Sequence, residues 1–211
     1  LSLIASLEGR TSKHDLETLK NRVGIFEGVD LTLEAAQTLA SFTTVRARTI
    51  SKAIRDNQLP VGSASALVEW VNNCEEAILR QHSFSSLLRR RAERLGGLNL
   101  TLEAAKKLLT WEEGRQRSTT AVLRRYELSQ TVTAELISFA ETYERHHLDR
   151  TLEKRASVLH RVDVSATSAK RLISMDSRRA EGIVKVIQNH ELTQSVTAEL
   201  ITFAETYQGK D

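Results

Sequence analysis

Apolar positions in this chain fall mostly three and four residues apart, the period of one helical face. One stripe runs Leu33, Ala36, Leu39, Ala40, Ala47, Ile50, Ile54, and another runs Ala169, Leu172, Ile173, Ala180, Ile183, Ile187. Each predicts a helix, here helix A, ending near Asn57, Arg125 or Asn189 in its three copies. The segment Asp30-Leu31-Thr32-Leu33-Glu34-Ala35-Ala36 matches Asn99-Leu100-Thr101-Leu102-Glu103-Ala104-Ala105, and a divergent copy opens at Asp163-Val164-Ser165-Ala166. A hydroxyl ahead of an apolar stripe is an N-cap signature, and Glu34 and Glu103 add favourable charge to the first turn. Pro60 forbids simple continuation of the first copy into the next helix.

Helix B follows, with stripes Leu67, Val71, Cys74, Ile78; Val132, Leu136, Phe139, Tyr143; and Val196, Leu200, Phe203, Tyr207. It either continues in the first copy to Gly96-Gly97 or breaks near 81–84 and 146–148; the pattern leaves both open. Residues 127–143 return as 191–207 with 14 of 17 identical, differing only by Ser/Thr exchanges. A bulky residue also recurs at Phe42 and Trp70, Trp111 and Phe139, Met175 and Phe203, always 28 apart within an A–B pair. These six are expected in the core.

The predicted architecture is all-α: tandem antiparallel helical hairpins, about 64–69 residues per two-helix repeat, stacked as an elongated array or bundle. The divisions are residues 1–29 as the end of a preceding repeat, then repeats at 30–98, 99–162 and 163–211. Because Leu1 opens inside a helical pattern, the chain reads as a segment of a longer array.

Composition agrees with helices. There is one proline, 5% of residues are aromatic, 40% are hydrophobic and 27% are charged, which fits neither a disordered chain nor a sheet sandwich. No apolar run reaches the roughly 18–20 residues that cross a bilayer, so no membrane span is expected. Cys74 is the only cysteine, which excludes an internal disulfide and a multi-cysteine zinc site; its place on the helix-B stripe predicts burial. His146 and His147 are adjacent, so on a helix they point about 100° apart and chelate one metal poorly. No glycine-rich phosphate loop or catalytic signature occurs, and no cofactor or catalytic residue is assigned.

Charge carries the one recurring polar feature. The second half of helix A is basic: Arg46, Arg48, Lys52 and Arg55; Arg115, Arg117, Arg124 and Arg125; Arg178, Arg179 and Lys185. Arg46, Arg115 and Arg179 align at the repeat lags. Cations favour helix C-terminal halves; alternatively Arg46, Arg48, Arg115, Arg117 and Arg179 form a ladder suited to an anionic partner. The run from Leu31 to Pro60, with Thr49-Ile50-Ser51-Lys52, resembles a helix-turn-helix of the excisionase or MerR type over about 30 residues, which would imply DNA binding. It departs from that family in the long stretch between Leu39 and Thr49.

The leading functional expectation is a non-enzymatic helical-repeat scaffold or protein-interaction segment, with a protein partner or self-association. The alternatives are nucleic-acid binding through helix A and an extracytoplasmic sensor domain of a membrane receptor. The compartment stays open, with a preference for the cytoplasm.

Overall fold

A computed structural model describes residues 23–74, 83–143, 148–190 and 192–206, and among them every regular element is an α-helix. Most of the expected preceding repeat, and Ile78 and Tyr207 of the helix-B stripes, lie outside the described residues. The chain folds as two compact units, residues 1–96 and 97–211. The first unit holds α1 (Leu33–Ser41), α2 (Thr44–Asp56), α3 (Val61–Asn72) and α4 (Phe84–Leu95). The second holds α5 (Leu102–Thr110), α6 (Glu113–Arg125), α7 (Gln130–Thr142), α8 (Leu148–Val158), α9 (Ala166–Ser174), α10 (Ser177–His190) and α11 (Gln194–Thr206).

Helix A, expected as one helix, is two in every copy: α1 and α2, α5 and α6, α9 and α10. Helix B in the first and second copies is also divided, into α3 and α4 and into α7 and α8. The breaks in helix A fall on the bulky residue. Phe42, Trp111 and Met175 each take extended backbone, with φ between −73° and −70° and ψ between 152° and 163°. Thr43 and Glu112 after them are extended too, and two such residues in succession redirect the chain. The hydroxyl of the last helical residue folds back on its own helix: Ser41 donates to Thr38 O, Thr110 to Lys107 O and Ser174 to Lys170 O. After the third break the new helix is capped by Asp176, whose Oδ1 accepts from the backbone N–H groups of Arg178 and Arg179, whereas Thr43 and Glu112 make no side-chain cap bond.

The first helix of each pair except α3 starts on a hydroxyl cap; α3 starts on Pro60. Thr32, Thr101, Ser129, Ser165 and Thr193 accept from the backbone N–H three residues on, at 3.2–3.4 Å. Ten residues after each cap stands the bulky residue, and Pro60 and Trp70 keep the same step. The joints leading to Thr32, Thr101 and Ser165 share one left-handed residue: Gly28 (φ 66°), Gly97 (φ 72°) and Arg161 (φ 57°).

Side-by-side helices in the second unit run parallel. Asn99, ahead of α5, accepts from Gln130 at the start of α7, while Lys107 near the end of α5 pairs with Glu141 near the end of α7 at 2.9 Å. Ser118 and Arg125 of α6 likewise meet Asp149 and Glu153 of α8 in the same order. The antiparallel pairing expected of A and B therefore gives way to parallel neighbours. α5, α7, α9 and α11 adjoin in sequence, and so do α6, α8 and α10. In the first unit α1 packs on α3 and α2 on α4.

The core is aliphatic, with Leu67, Leu88, Leu108, Leu136, Ile137 and Leu152 fully buried. Of the six bulky residues only Trp111 is fully in it; Phe42, Trp70, Phe139 and Met175 are half-buried and Phe203 is 62% exposed. Cys74, expected in the core, is half-exposed, because α3 ends at Asn72 and leaves Cys74 past its cap.

Leu136→Ala is expected to cost about 2–5 kcal/mol, the range for emptying a closed aliphatic site. Leu200→Ala, at the equivalent place in the duplicated sequence but half-exposed, is expected to cost less than half as much. Urea denaturation of the two variants measures the difference.

Candidate functional site

Two of the three arginines that align at the repeat lags share one geometry, in which a guanidinium lies against the bulky residue of a helix end. Arg46 Cζ is 5.7 Å from the Phe42 ring centroid, and Arg115 Cζ is 5.2 Å from that of Trp111. In each case the chain itself sets the distance: the bulky residue ends one helix, and the arginine four residues on belongs to the first turn of the next. Two further arginines make the same contact from another helix. Arg91 of α4 lies over Trp70 at 5.7 Å and Arg155 of α8 over Phe139 at 4.7 Å. Such stacking contributes about 0.5–1 kcal/mol at exposed sites and more where water is excluded.

Stacking leaves the edge of the guanidinium available, and the backbone uses it. Arg115 Nη2 donates to Ala140 O, to Glu141 O at 3.3 Å and to Tyr143 O at 2.8 Å, so it caps the carbonyl end of α7. Arg155 Nη1 donates to Met175 O at 3.2 Å, where α9 ends. Arg55 Nη1 donates to Glu27 O at 2.9 Å. Burial pulls the Arg155 guanidinium below its ordinary pKa, with Tyr143 opposing; a fixed planar donor set facing carbonyl oxygens suits Arg and not Lys.

The five candidate residues thus divide. Arg46 and Arg115 are half-buried against rings, while Arg48, Arg117 and Arg179 are exposed. Arg115 on α6 and Arg179 on α10 are not brought together, because α8 packs against both helices between them. Arg155 and Arg91 belong to the recurring set and were missed. Their signal was present, since they align at a lag of 64 within Leu88-x-x-Arg91-Ala92 and Leu152-x-x-Arg155-Ala156, but it lies in the half of helix B whose continuity the pattern left open.

Other cations are held by carboxylates. Arg171 meets Glu205 through two nitrogens, with Nε to Oε1 at 2.9 Å, and adds Thr202 Oγ1 at 2.9 Å. Arg161 pairs with Glu127 at 2.6 Å, and Arg125 pairs with Glu153. The hydrogen bond from Arg171 holds the Glu205 carboxyl below its usual range, and Arg161 does the same for Glu127. His160 is structural: its Nδ1 accepts from Glu127 N at 3.1 Å, its ring meets Tyr126 edge-on, and its carbonyl accepts from Gln188. His146 and His147 lie outside the described residues.

Two open clefts accompany these contacts. One of about 210 Å³ between α2 and α4 is bordered by Lys52, Asp56 and Arg89. The other, about 320 Å³, lies among α5, α7 and α9 and is bordered by Lys107, Glu135, Phe139 and Lys170. Among the described residues there is no group of three or more His, Cys, Asp or Glu that could hold a metal ion. The arrangement binds backbone carbonyls and rings within the chain. No protein-family model, curated protein or solved structure matches the chain.

Arg115→Ala is expected to lower stability by about 1–3 kcal/mol through the lost hydrogen bonds and ring contact, while Arg117→Ala stays within about 0.5 kcal/mol; thermal and urea unfolding distinguish them. A carboxyl with a lowered folded pKa contributes stability that is complete above its unfolded value and lost as pH falls through the folded one. Glu205 and Glu127 are therefore expected to titrate below the unfolded reference of about 4.3. Arg171→Ala should return Glu205 toward that reference and leave Glu127 unmoved, as read by NMR titration of the carboxyl carbons.

Proposed function

We propose that the chain is a non-enzymatic helical-repeat segment that serves as a scaffold and binds a protein partner. One observation carries the reading: the residues that recur along the chain serve its own helices, starting them or stacking on their bulky residues. Thr32, Thr101, Ser129, Ser165 and Thr193 cap helices, and Arg46, Arg91, Arg115 and Arg155 lie on bulky residues at helix ends. A unit repeated for catalysis would instead repeat a polar group aimed into a cavity. A unit repeated for support repeats its joints, and its variable exposed residues remain for recognition. Stacked tandem units of about 64–69 residues, each holding two helix pairs, are the arrangement this reading implies.

Among the described residues no helix is long and apolar enough to cross a membrane. Exposed Arg48, Arg117, Arg178 and Arg179 favour a second reading, an anionic partner such as nucleic acid.

A chain in which residues 99–162 are duplicated in tandem tests the first reading. Helical circular dichroism is expected to rise in proportion to length, with a single unfolding transition at an unchanged or higher midpoint; an added copy that stays unfolded sinks the repeat reading. For the second reading, mobility shift with duplex and single-stranded oligonucleotides at low salt is the check. Scaffold function predicts no shift. A shift that weakens steeply with salt and with Arg48→Ala plus Arg117→Ala replaces the scaffold reading.

A further inference from the structure

The duplicated sequence occupies two different environments. Val132, Leu136 and Ala140 on α7 are 0% exposed. Their counterparts on α11 are not: Val196 is 46% exposed, and Leu200 and Ala204 are half-exposed. Phe139 is half-buried, while its counterpart Phe203 is 62% exposed. Only Ser/Thr exchanges separate the two sequences, so the difference lies in the neighbours.

α7 packs against α5, α6, α8 and α9, whereas α11 packs against α9 and α10, the counterparts of α5 and α6. One side of α11 is complete: Thr197 and Ile201 are buried like Thr133 and Ile137, and Arg171 of α9 holds Glu205 as Lys107 of α5 holds Glu141. The incomplete side is the one on which α7 meets α8 and α9, and the partner that reaches the Phe139 ring there belongs to α8. There Arg155 lies 4.7 Å from the Phe139 ring centroid, and Leu148, Leu152 and Ala156 are buried. The first unit closes the same way, with Arg91 of α4 over Trp70 of α3, and with Leu88 and Ala92 fully buried.

We propose that the face formed by Val196, Leu200, Phe203 and Ala204 is a docking site for one helix of the α8 kind, contributed by a further repeat. Its signature is a leucine, a second leucine four residues on, an arginine three residues later and an alanine next, as in Leu148, Leu152, Arg155 and Ala156. The leucines and alanine cover the aliphatic stripe, and the arginine stacks on Phe203. The proposal rests on the repeat reading and adds the identity of the partner.

Residues 208–211 correspond to 144–147 at the repeat lag, so a copy of residues 148–162 appended after Asp211 begins in the register that α8 has after α7. Hydrogen exchange of this extended chain is the test. The α11 amides are expected to exchange about tenfold or more slowly than in the original chain, and Phe203→Ala in the extended chain should remove that protection. Replacing the arginine equivalent to Arg155 by alanine should remove about threefold of it. In trans, a capped peptide of residues 148–162 should bind the original chain saturably by fluorescence anisotropy and lose about tenfold in affinity with Phe203→Ala. Because Phe203 is exposed, that substitution leaves the fold of the original chain unchanged, as circular dichroism will report.

Unchanged α11 exchange in the extended chain overturns the proposal, as does protection that Phe203→Ala leaves in place. So does a dimer of the original chain, abolished by Phe203→Ala, that the peptide does not displace; the occupant is then a second copy. Failure of the tandem duplication of residues 99–162 reports on the repeat reading separately, since the docking test adds a single helix to α11.

Discussion

Helix length is the constraint on which the rest depends. A hydroxyl starts a helix and a bulky residue ten positions on marks where it ends or nears its end. Because the step is constant, α1, α5 and α9 are each 9 residues long, and Phe42, Trp111 and Met175 arrive at equivalent places. After Phe42 and Trp111 the next helix begins with its arginine already beside the ring. In the second unit the same arginine class closes the neighbouring helix end, as Arg115 does for α7. Local capping thus fixes tertiary contacts, with little demanded of surface ion pairs, which contribute weakly when exposed.

The interior works to the same end. Its side chains are mostly Leu, Ile, Val and Ala, so shape is supplied by helix spacing and not by large rings. The parallel order of α5, α7 and α9 follows, because each break sends the chain back through a helix of the other set before the next cap. The left-handed joint at Gly28, Gly97 and Arg161 gives that return a fixed turn. Arg161 is the non-glycine member, and it is held there by a backbone hydrogen bond to Glu127 O at 2.9 Å.

Much of this was legible in sequence. The helical period, the hydroxyl caps and the 28-residue spacing are direct properties of the pattern, and all-α content follows from them. The breaks in helix A were not read, because the apolar stripe resumes in phase beyond Phe42 and Met175 and no Gly or Pro stands at the break itself. What announces them is subtler: a Ser or Thr, then the bulky residue, then Thr, Glu or Asp, as in Ser41-Phe42-Thr43, Thr110-Trp111-Glu112 and Ser174-Met175-Asp176. At the candidate site, Arg46 and Arg115 were found by their repeat lags alone. Their ring contacts could not be, since both depend on the chain changing direction between bulky residue and arginine.

The near-identity of α7 and α11 has a kinetic side. Two segments that differ only by Ser/Thr exchanges are competitors for one seat between α5 and α9. Either can nucleate there, and the wrong choice loops out the 64 residues of one period while forming contacts of almost native quality. Such a landscape has two deep basins that local energetics barely separates. Connectivity then decides: closing the shorter loop costs less entropy, so the chain's own order of synthesis and the brevity of its joints, not its side chains, keep each copy in its place.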